Sequence, residues 1–173
     1  MRIFLIGFMG SGKSFIGRKL AKLNSSSFID LDNEIEVQQG RKIRQIFEED
    51  GEAAFREMER VALHKMNQHP NAIIATGGGT PCFFDNMDWM NRQGITIYLQ
   101  TPIEILLERL QPERSHRPLL QDLSDEALHA FISEKLAMRE SFYLRASIVY
   151  QITQANEDVA EALMQYFSNI TGH

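Results

Sequence analysis

The chain has 173 residues, 43% hydrophobic and 24% charged, with 18 Lys+Arg against 23 Asp+Glu for a formal net charge of −5. That length suits one domain with its own core, and the composition excludes a disordered or fibrous chain. The negative balance disfavours nucleic acid and acidic membrane surfaces as partners, and taken alone it disfavours strongly anionic substrates too.

The first apolar run, Ile3–Ile6, reads as a strand. It continues to Met9 but is no signal core, because a glycine-rich stretch follows without a small-residue cleavage pattern. Gly7-Phe8-Met9-Gly10-Ser11-Gly12-Lys13-Ser14 fits the phosphate-binding loop G-x-x-x-x-G-K-[ST]. Glycines let backbone N–H groups turn toward a phosphate, and the N-terminus of the next helix adds partial positive charge. Lys13 supplies a full charge for the terminal phosphates, and the Ser14 hydroxyl is placed for Mg²⁺. The helix after the loop, Phe15–Leu23, carries Ile16, Leu20 and Leu23 on one face. This motif implies a nucleoside triphosphate with Mg²⁺ and leaves the phosphate acceptor open.

A brief strand at Phe28–Ile29 leads into Asp30-Leu31-Asp32. Alternation points both carboxylates the same way past the strand end, where one can hold Mg²⁺ and the other can orient a hydroxyl or take its proton. They read equally as solvated acids or as caps of a helix starting near Asn33. Asp50-Gly51 divides the helical stretch Ile43–Met66 in two, and Arg56 lies in the second half. After the buried run Ala72–Ala75 comes Thr76-Gly77-Gly78-Gly79-Thr80, whose glycines suit close approach of a ligand or another backbone, or else a flexible turn before Pro81. The single cysteine, Cys82, cannot form an internal disulfide; it reads as an inert packed thiol in a reducing, cytoplasmic protein, and the histidines show no metal spacing. Trp89 and the phenylalanines read as core rather than as a stacking platform.

Ile95–Leu99 is the next strand, and Thr101-Pro102-Ile103-Glu104 has the form of a capping box with proline at the first helical position. The polar stretch Gln111–Leu123, with Arg114 and Arg117, reads as a lid-like loop. Ser124 starts another helix, which carries Arg139. Ile148–Ile152 is a last strand, and Val159, Leu163, Tyr166 and Phe167 form a helical stripe. Strands alternating with helices give an α/β domain on a parallel sheet of about five strands. No stretch reaches the roughly 20 apolar residues of a membrane span.

Taken together, the Gly7–Ser14 loop, Asp30-Leu31-Asp32, Gly40 with Ile46-Phe47, Gly51-Glu52 through Phe55-Arg56 to Glu59, Gly77-Gly78-Gly79, Arg117-Pro118-Leu119-Leu120, and Arg139 with Tyr143 resemble shikimate kinase nearly end to end. The resemblance implies a three-layer P-loop kinase fold over residues 1–173, with a five-stranded parallel sheet, helices on both faces, an acceptor-binding region over 32–60 and a mobile lid over 111–123. It implies transfer of the terminal phosphoryl of ATP to the 3-hydroxyl of shikimate, in the route to chorismate and aromatic amino acids. ATP would be held by Gly10, Ser11, Gly12, Lys13, Ser14, Phe15, Arg109, Arg117 and Asn156, with Mg²⁺ at Ser14 and Asp30. Shikimate would be held by Asp32, Arg56, Gly77, Gly78, Gly79 and Arg139, and Lys13, Asp32 and Arg117 would serve catalysis. The loop Gln154-Ala155-Asn156 lacks the proline that this family places beside the adenine, and Arg114 is a second candidate for the lid role. A monomer without nucleic-acid or membrane partners is the expectation. The alternatives are another small-molecule kinase of this fold, such as a gluconate kinase, or a non-catalytic ATP-binding switch.

Overall fold

The structure, a computed structural model, describes residues 1–114 and 120–171. Among them, β1 (Arg2–Ile6), β2 (Ser27–Asp30), β3 (Ala72–Ala75), β4 (Ile95–Gln100) and β5 (Ile148–Gln151) form a parallel sheet in the order β2-β3-β1-β4-β5. In β1, Phe4 and Ile6 pack with Ile74 and Tyr98 on one face, while Ile3 and Leu5 pack with Ile73, Ile97 and Leu99 on the other. Burial on both faces explains why β1, β3 and β4 read as continuous apolar runs. The edge strands β2 and β5 keep half-exposed positions and give a weaker signal.

The described helices are α1 (Lys13–Leu23), α2 (Leu31–Gln39), α3 (Ile43–Glu49), α4 (Gly51–Lys65), α5 (Asn86–Gln93), α6 (Ile103–Leu110), α7 (Asp125–Tyr143) and α8 (Val159–Thr171). Helices α2, α4 and α5 bury Leu31, Ile35, Phe55, Leu63 and Met90 against one face, and α1, α6 and α8 bury Ile16, Leu20, Ile105 and Leu163 against the other. The result is helix, sheet and helix in three layers. No helix among the described residues is long and apolar enough to cross a membrane.

Some local expectations change. The chain turns helical at Leu31 rather than near Asn33, with the Asp30 carboxylate accepting the Asn33 N–H at 3.4 Å. Asp30 therefore ends a strand and Asp32 sits in a first helical turn, so strand alternation is not what aligns them. The capping box at Thr101 is not made: its hydroxyl donates to the Leu99 carbonyl at 3.2 Å, and α6 begins behind Pro102. Ser124 does cap α7, accepting from the Ala127 N–H at 3.1 Å. Leu23 and Tyr166 lie on the solvent side of their helices, each more than a third exposed. Within the lid-like stretch, residues 115–119, and Arg117 with them, lie outside the described residues.

All strands being parallel, the segments after β1, β2, β3 and β5 leave the sheet at one edge, the carboxyl edge where open α/β sheets bind ligands.

Candidate active site

A cavity of about 780 Å³ opens at that edge, lined by residues of the phosphate loop, the Asp30–Asp32 acids, Gly78, Arg109 and the segment 155–160. The loop's curl depends on Gly10 at φ +80° and Gly12 at φ +90°, where a side chain would be strained. Gly12 is also the N-cap of α1 and offers no side chain to the first turn. The orphan N–H groups of that turn therefore remain available to an anion. Lys13 Nζ donates to the carbonyls of Gly7 and Phe8 at 2.8 and 2.9 Å, which holds the ammonium over the loop.

Ser14 Oγ donates to Asp30 Oδ2 at 2.6 Å across the cavity floor. A hydroxyl beside a carboxylate is a hard-oxygen donor set, which fits Mg²⁺. Among the described residues no group of three or more His, Cys, Asp or Glu could hold an ion alone, so a cation here needs phosphate oxygens or water to complete its shell. Asp32 lies deeper. Burial pushes its carboxyl up to about 6, with the negative charges of Glu59 and Asp30 acting the same way against Lys13 and Arg56.

The glycine triplet explains how acids and arginines come together. A methyl at Gly77 would stand 2.8 Å from Asp32 Oδ1 and 2.9 Å from Glu59 Oε1. One at Gly79 would stand 2.7 Å from Arg56 Nη2, and one at Gly78 3.4 Å from Arg139 Nη1. Each glycine thus admits a charged side chain from another element: α2, α4 and α7. Arg56 is buried and pairs with Glu59 at 2.9 Å and with Glu52 at 3.1 Å. Arg139 stands over the Phe8 ring at 5.7 Å, and Tyr143, one turn further along α7, donates its hydroxyl to the Gly78 carbonyl.

At the other end, Arg109 is anchored by three carbonyls, those of Gly10 and Ser11 at 3.3 Å and Ala155 at 2.8 Å. It therefore ties the phosphate loop to the segment after β5. Phe15, three-quarters exposed, and Asn156 border the same cavity. Tyr150 donates to Glu157, and the Thr153 N–H donates to the same carboxylate at 2.9 Å, which fixes that segment.

Against known proteins, the shikimate kinase family model matches residues 9–169. The chain belongs to the shikimate kinase family. It is 47% identical over 169 residues to the shikimate kinase of Parabacteroides distasonis, covering 95% of this chain and 98% of that one. The crystal structure of the shikimate kinase from Bacteroides thetaiotaomicron superposes with a TM-score of 0.92 at 38% identity, covering 100% of this chain and 99% of that one. The Acinetobacter baumannii shikimate kinase, solved in complex with shikimate, gives 0.87 at 35% identity over 98% and 93%. Membership makes the chain a P-loop, ATP-using transferase of the shikimate route.

Within this shikimate kinase fold, Lys13, Ser14, Asp30, Asp32, Gly78, Arg109 and Asn156 border the cavity together, while Arg56 and Arg139 meet the glycine triplet, Arg139 at Gly78 on the cavity wall and Arg56 at Gly79 beside it. Gly77 and Gly79 act as clearances for side chains rather than as a lining. Arg114, the alternative lid arginine, donates to the Leu123 carbonyl at 2.6 Å and pairs with Asp125. It fastens the base of the lid-like stretch instead of facing the cavity. Cys82 matches the inert reading, its thiol pushed up to about 11 by burial. The partnership that sequence reasoning left without a role is Glu59 with Arg56; the spacing Glu52-Arg56-Glu59 on one helix face was the available signal.

Proposed function

We propose that the chain transfers the terminal phosphoryl of ATP to the 3-hydroxyl of shikimate, giving shikimate 3-phosphate and ADP. The observation that supports this best is the convergence of Arg56, Arg139 and Asp32 on consecutive glycines, next to the cavity that ends in the phosphate loop. Two guanidinium groups suit a carboxylate, which they can engage with paired donors that fix orientation as well as charge. Asp32 suits a ring hydroxyl of the same acceptor. The two arginines would then hold the acceptor carboxylate while Asp32, which shares the cavity with Lys13, holds the hydroxyl that meets the phosphate.

In this reading Gly10, Ser11, Gly12 and the first turn of α1, with Ser14 and Phe15, cradle the phosphates, and Lys13 neutralises charge that develops on the transferred group. Asp32 orients the attacking hydroxyl and accepts its proton as the bond to phosphorus forms. Arg109 and Asn156 flank the base. Ser14 and Asp30 would hold Mg²⁺, which when bound neutralises phosphate charge. Residues 1–173 act as one unit, with 32–60 as acceptor region and 111–123, including Arg117, as a lid that excludes water. A cytoplasmic monomer, without nucleic-acid or membrane partners, completes the reading.

An ADP-release assay across hydroxy-acid acceptors tests it. Turnover is expected with shikimate; turnover with gluconate and none with shikimate would overturn the assignment. Arg56→Ala and Arg139→Ala are each expected to weaken shikimate binding by about 10–100-fold while nucleotide affinity stays near wild type, as read by calorimetry. Equal loss of both ligands would refute the clamp role. Gly79→Ala, which drives a methyl into the Arg56 guanidinium, is expected to raise the KM for shikimate with little change in the KM for ATP. An unchanged KM for shikimate would mean that Arg56 does not need that clearance.

A further inference from the structure

A tight 3₁₀ turn, Thr80–Cys82 followed by Phe83, leaves the glycine triplet and packs against Arg56 and Glu59. Arg56 and Glu59 are 8% and 1% exposed. A carboxylate so enclosed requires partners on both oxygens, because an unmatched buried charge is strongly unfavourable. Glu59 Oε2 accepts from Arg56 Nη1 at 2.9 Å, and Oε1 accepts from Thr80 Oγ1 at 2.6 Å. Thr80 is itself fixed: it is fully buried, and its carbonyl accepts from Asn86 Nδ2 at 2.9 Å, also fully buried at the start of α5. The Phe83 ring centroid lies 4.1 Å from Arg56 Cζ, nearer than the rings of Phe55 at 5.1 Å and Phe47 at 5.9 Å. A guanidinium at that distance is held by a ring through cation–π attraction and stacking. Its Nε and Nη2 edge meets Glu52, whose side chain is more than half exposed and can yield to another carboxylate.

We infer that Thr80 and Phe83 are positioning residues for acceptor binding, Thr80 by holding Glu59 against one edge of the Arg56 guanidinium and Phe83 by fixing the guanidinium near its ring. Neither touches the acceptor. The inference rests on the reading of Arg56 as a holder of the shikimate carboxylate. If Glu59 loses Thr80, it can turn away and release Arg56. If Phe83 loses its ring, the guanidinium can tilt. Either change misaligns the donor pair while the phosphate loop, built on other elements, stays as it was.

Calorimetric titrations of shikimate and of ADP into wild type, Arg56→Ala, Thr80→Val, Thr80→Ser, Phe83→Leu and Phe83→Tyr test this. Thr80→Val and Phe83→Leu are expected to weaken shikimate by about tenfold with ADP affinity within about twofold of wild type. Thr80→Ser, which keeps the hydroxyl, and Phe83→Tyr, which keeps the ring, should bind shikimate like wild type. A shikimate Kd changed by less than about threefold in either Thr80→Val or Phe83→Leu, a parallel loss of ADP, or failure of Thr80→Ser to restore binding would overturn the inference. Should Thr80→Val fail to fold, Phe83→Leu decides by the same criterion. Wild-type binding by Arg56→Ala would overturn the reading of Arg56 and this inference with it. Weakened binding by Arg56→Ala beside indifferent Thr80→Val and Phe83→Leu would overturn this inference alone.

Discussion

Lys13→Ala is expected to lower turnover by about a thousandfold or more, the scale of removing one preorganised charge from a phosphoryl-transfer site, while the fold survives. Phosphoryl transfer asks for positioning and charge neutralisation, and Lys13 is the cation built into the loop itself. Its Nζ already lies over the loop, donating to the Gly7 and Phe8 carbonyls at 2.8 and 2.9 Å, so little reorganisation is needed when phosphate arrives. Both hydrogen bonds are only part-buried, and solvent can replace the lost donor. Alanine is also a good helix former at the start of α1. The stability cost is therefore about 1 kcal/mol or less. Lys13→Arg should rescue little, because a planar fork does not reproduce a compact point charge within a tight loop. Turnover and melting temperature together check this, and a fall of many degrees in melting temperature would make Lys13 a structural residue.

The negative net charge shows why global numbers stop short of a site. Sequence-wide, −5 disfavours anionic ligands, yet Lys13 borders the cavity and Arg56 and Arg139 stand against the glycine triplet beside it, carried by α1, α4 and α7. Only the sheet order, with β1 between β3 and β4, brings those helices to one edge, and local convergence rather than the sum decides binding. The central strands were legible because burial on both faces leaves a continuous apolar run, and the phosphate loop because its chemistry tolerates few residue types. The glycine triplet was legible as a close approach but not as to what approaches. The answer is four charged side chains from distant segments, Asp32, Arg56, Glu59 and Arg139, and no local pattern encodes them. Thr101 misled because its hydroxyl has a competing acceptor in the Leu99 carbonyl. Arg114 was ambiguous because an arginine in a polar stretch can face a ligand or a carbonyl, and only its placement beside Leu123 and Asp125 decides which. Phe83 carried no signal at all, since an aromatic after a turn reads first as core.

Asp32→Asn is expected to separate function from stability in opposite directions. The Asp32 carboxyl is half-buried between Glu59 and Asp30, and burial first, then those charges, push it up to about 6. A raised carboxyl binds its proton more tightly in the folded chain than in the unfolded one. Its contribution is therefore most favourable below the ordinary value of 3.8 and is lost as the pH rises through about 6. At pH 7–8 the folded, ligand-free protein carries an ionised carboxylate that its surroundings disfavour. Asparagine removes that charge with almost no change in shape, so the ligand-free and metal-free variant should be more stable by about 1–2 kcal/mol, or roughly 2–6 °C in melting temperature. The gain should shrink toward zero near pH 4, where wild-type Asp32 is itself neutral. Turnover should move the other way and fall by about 10²–10⁴-fold, because an amide cannot take the proton of the attacking hydroxyl. In the proposed mechanism the charge that costs the empty protein stability is the one the reaction uses, as in a site held away from its own stability optimum. Thermal scans at pH 4 and pH 8 with chelator present, set beside the ADP-release assay, check both halves. A destabilised variant at pH 8 would show that the Asp32 charge is not disfavoured in the empty protein, and one that keeps more than about a tenth of wild-type turnover would show that Asp32 is not the proton acceptor.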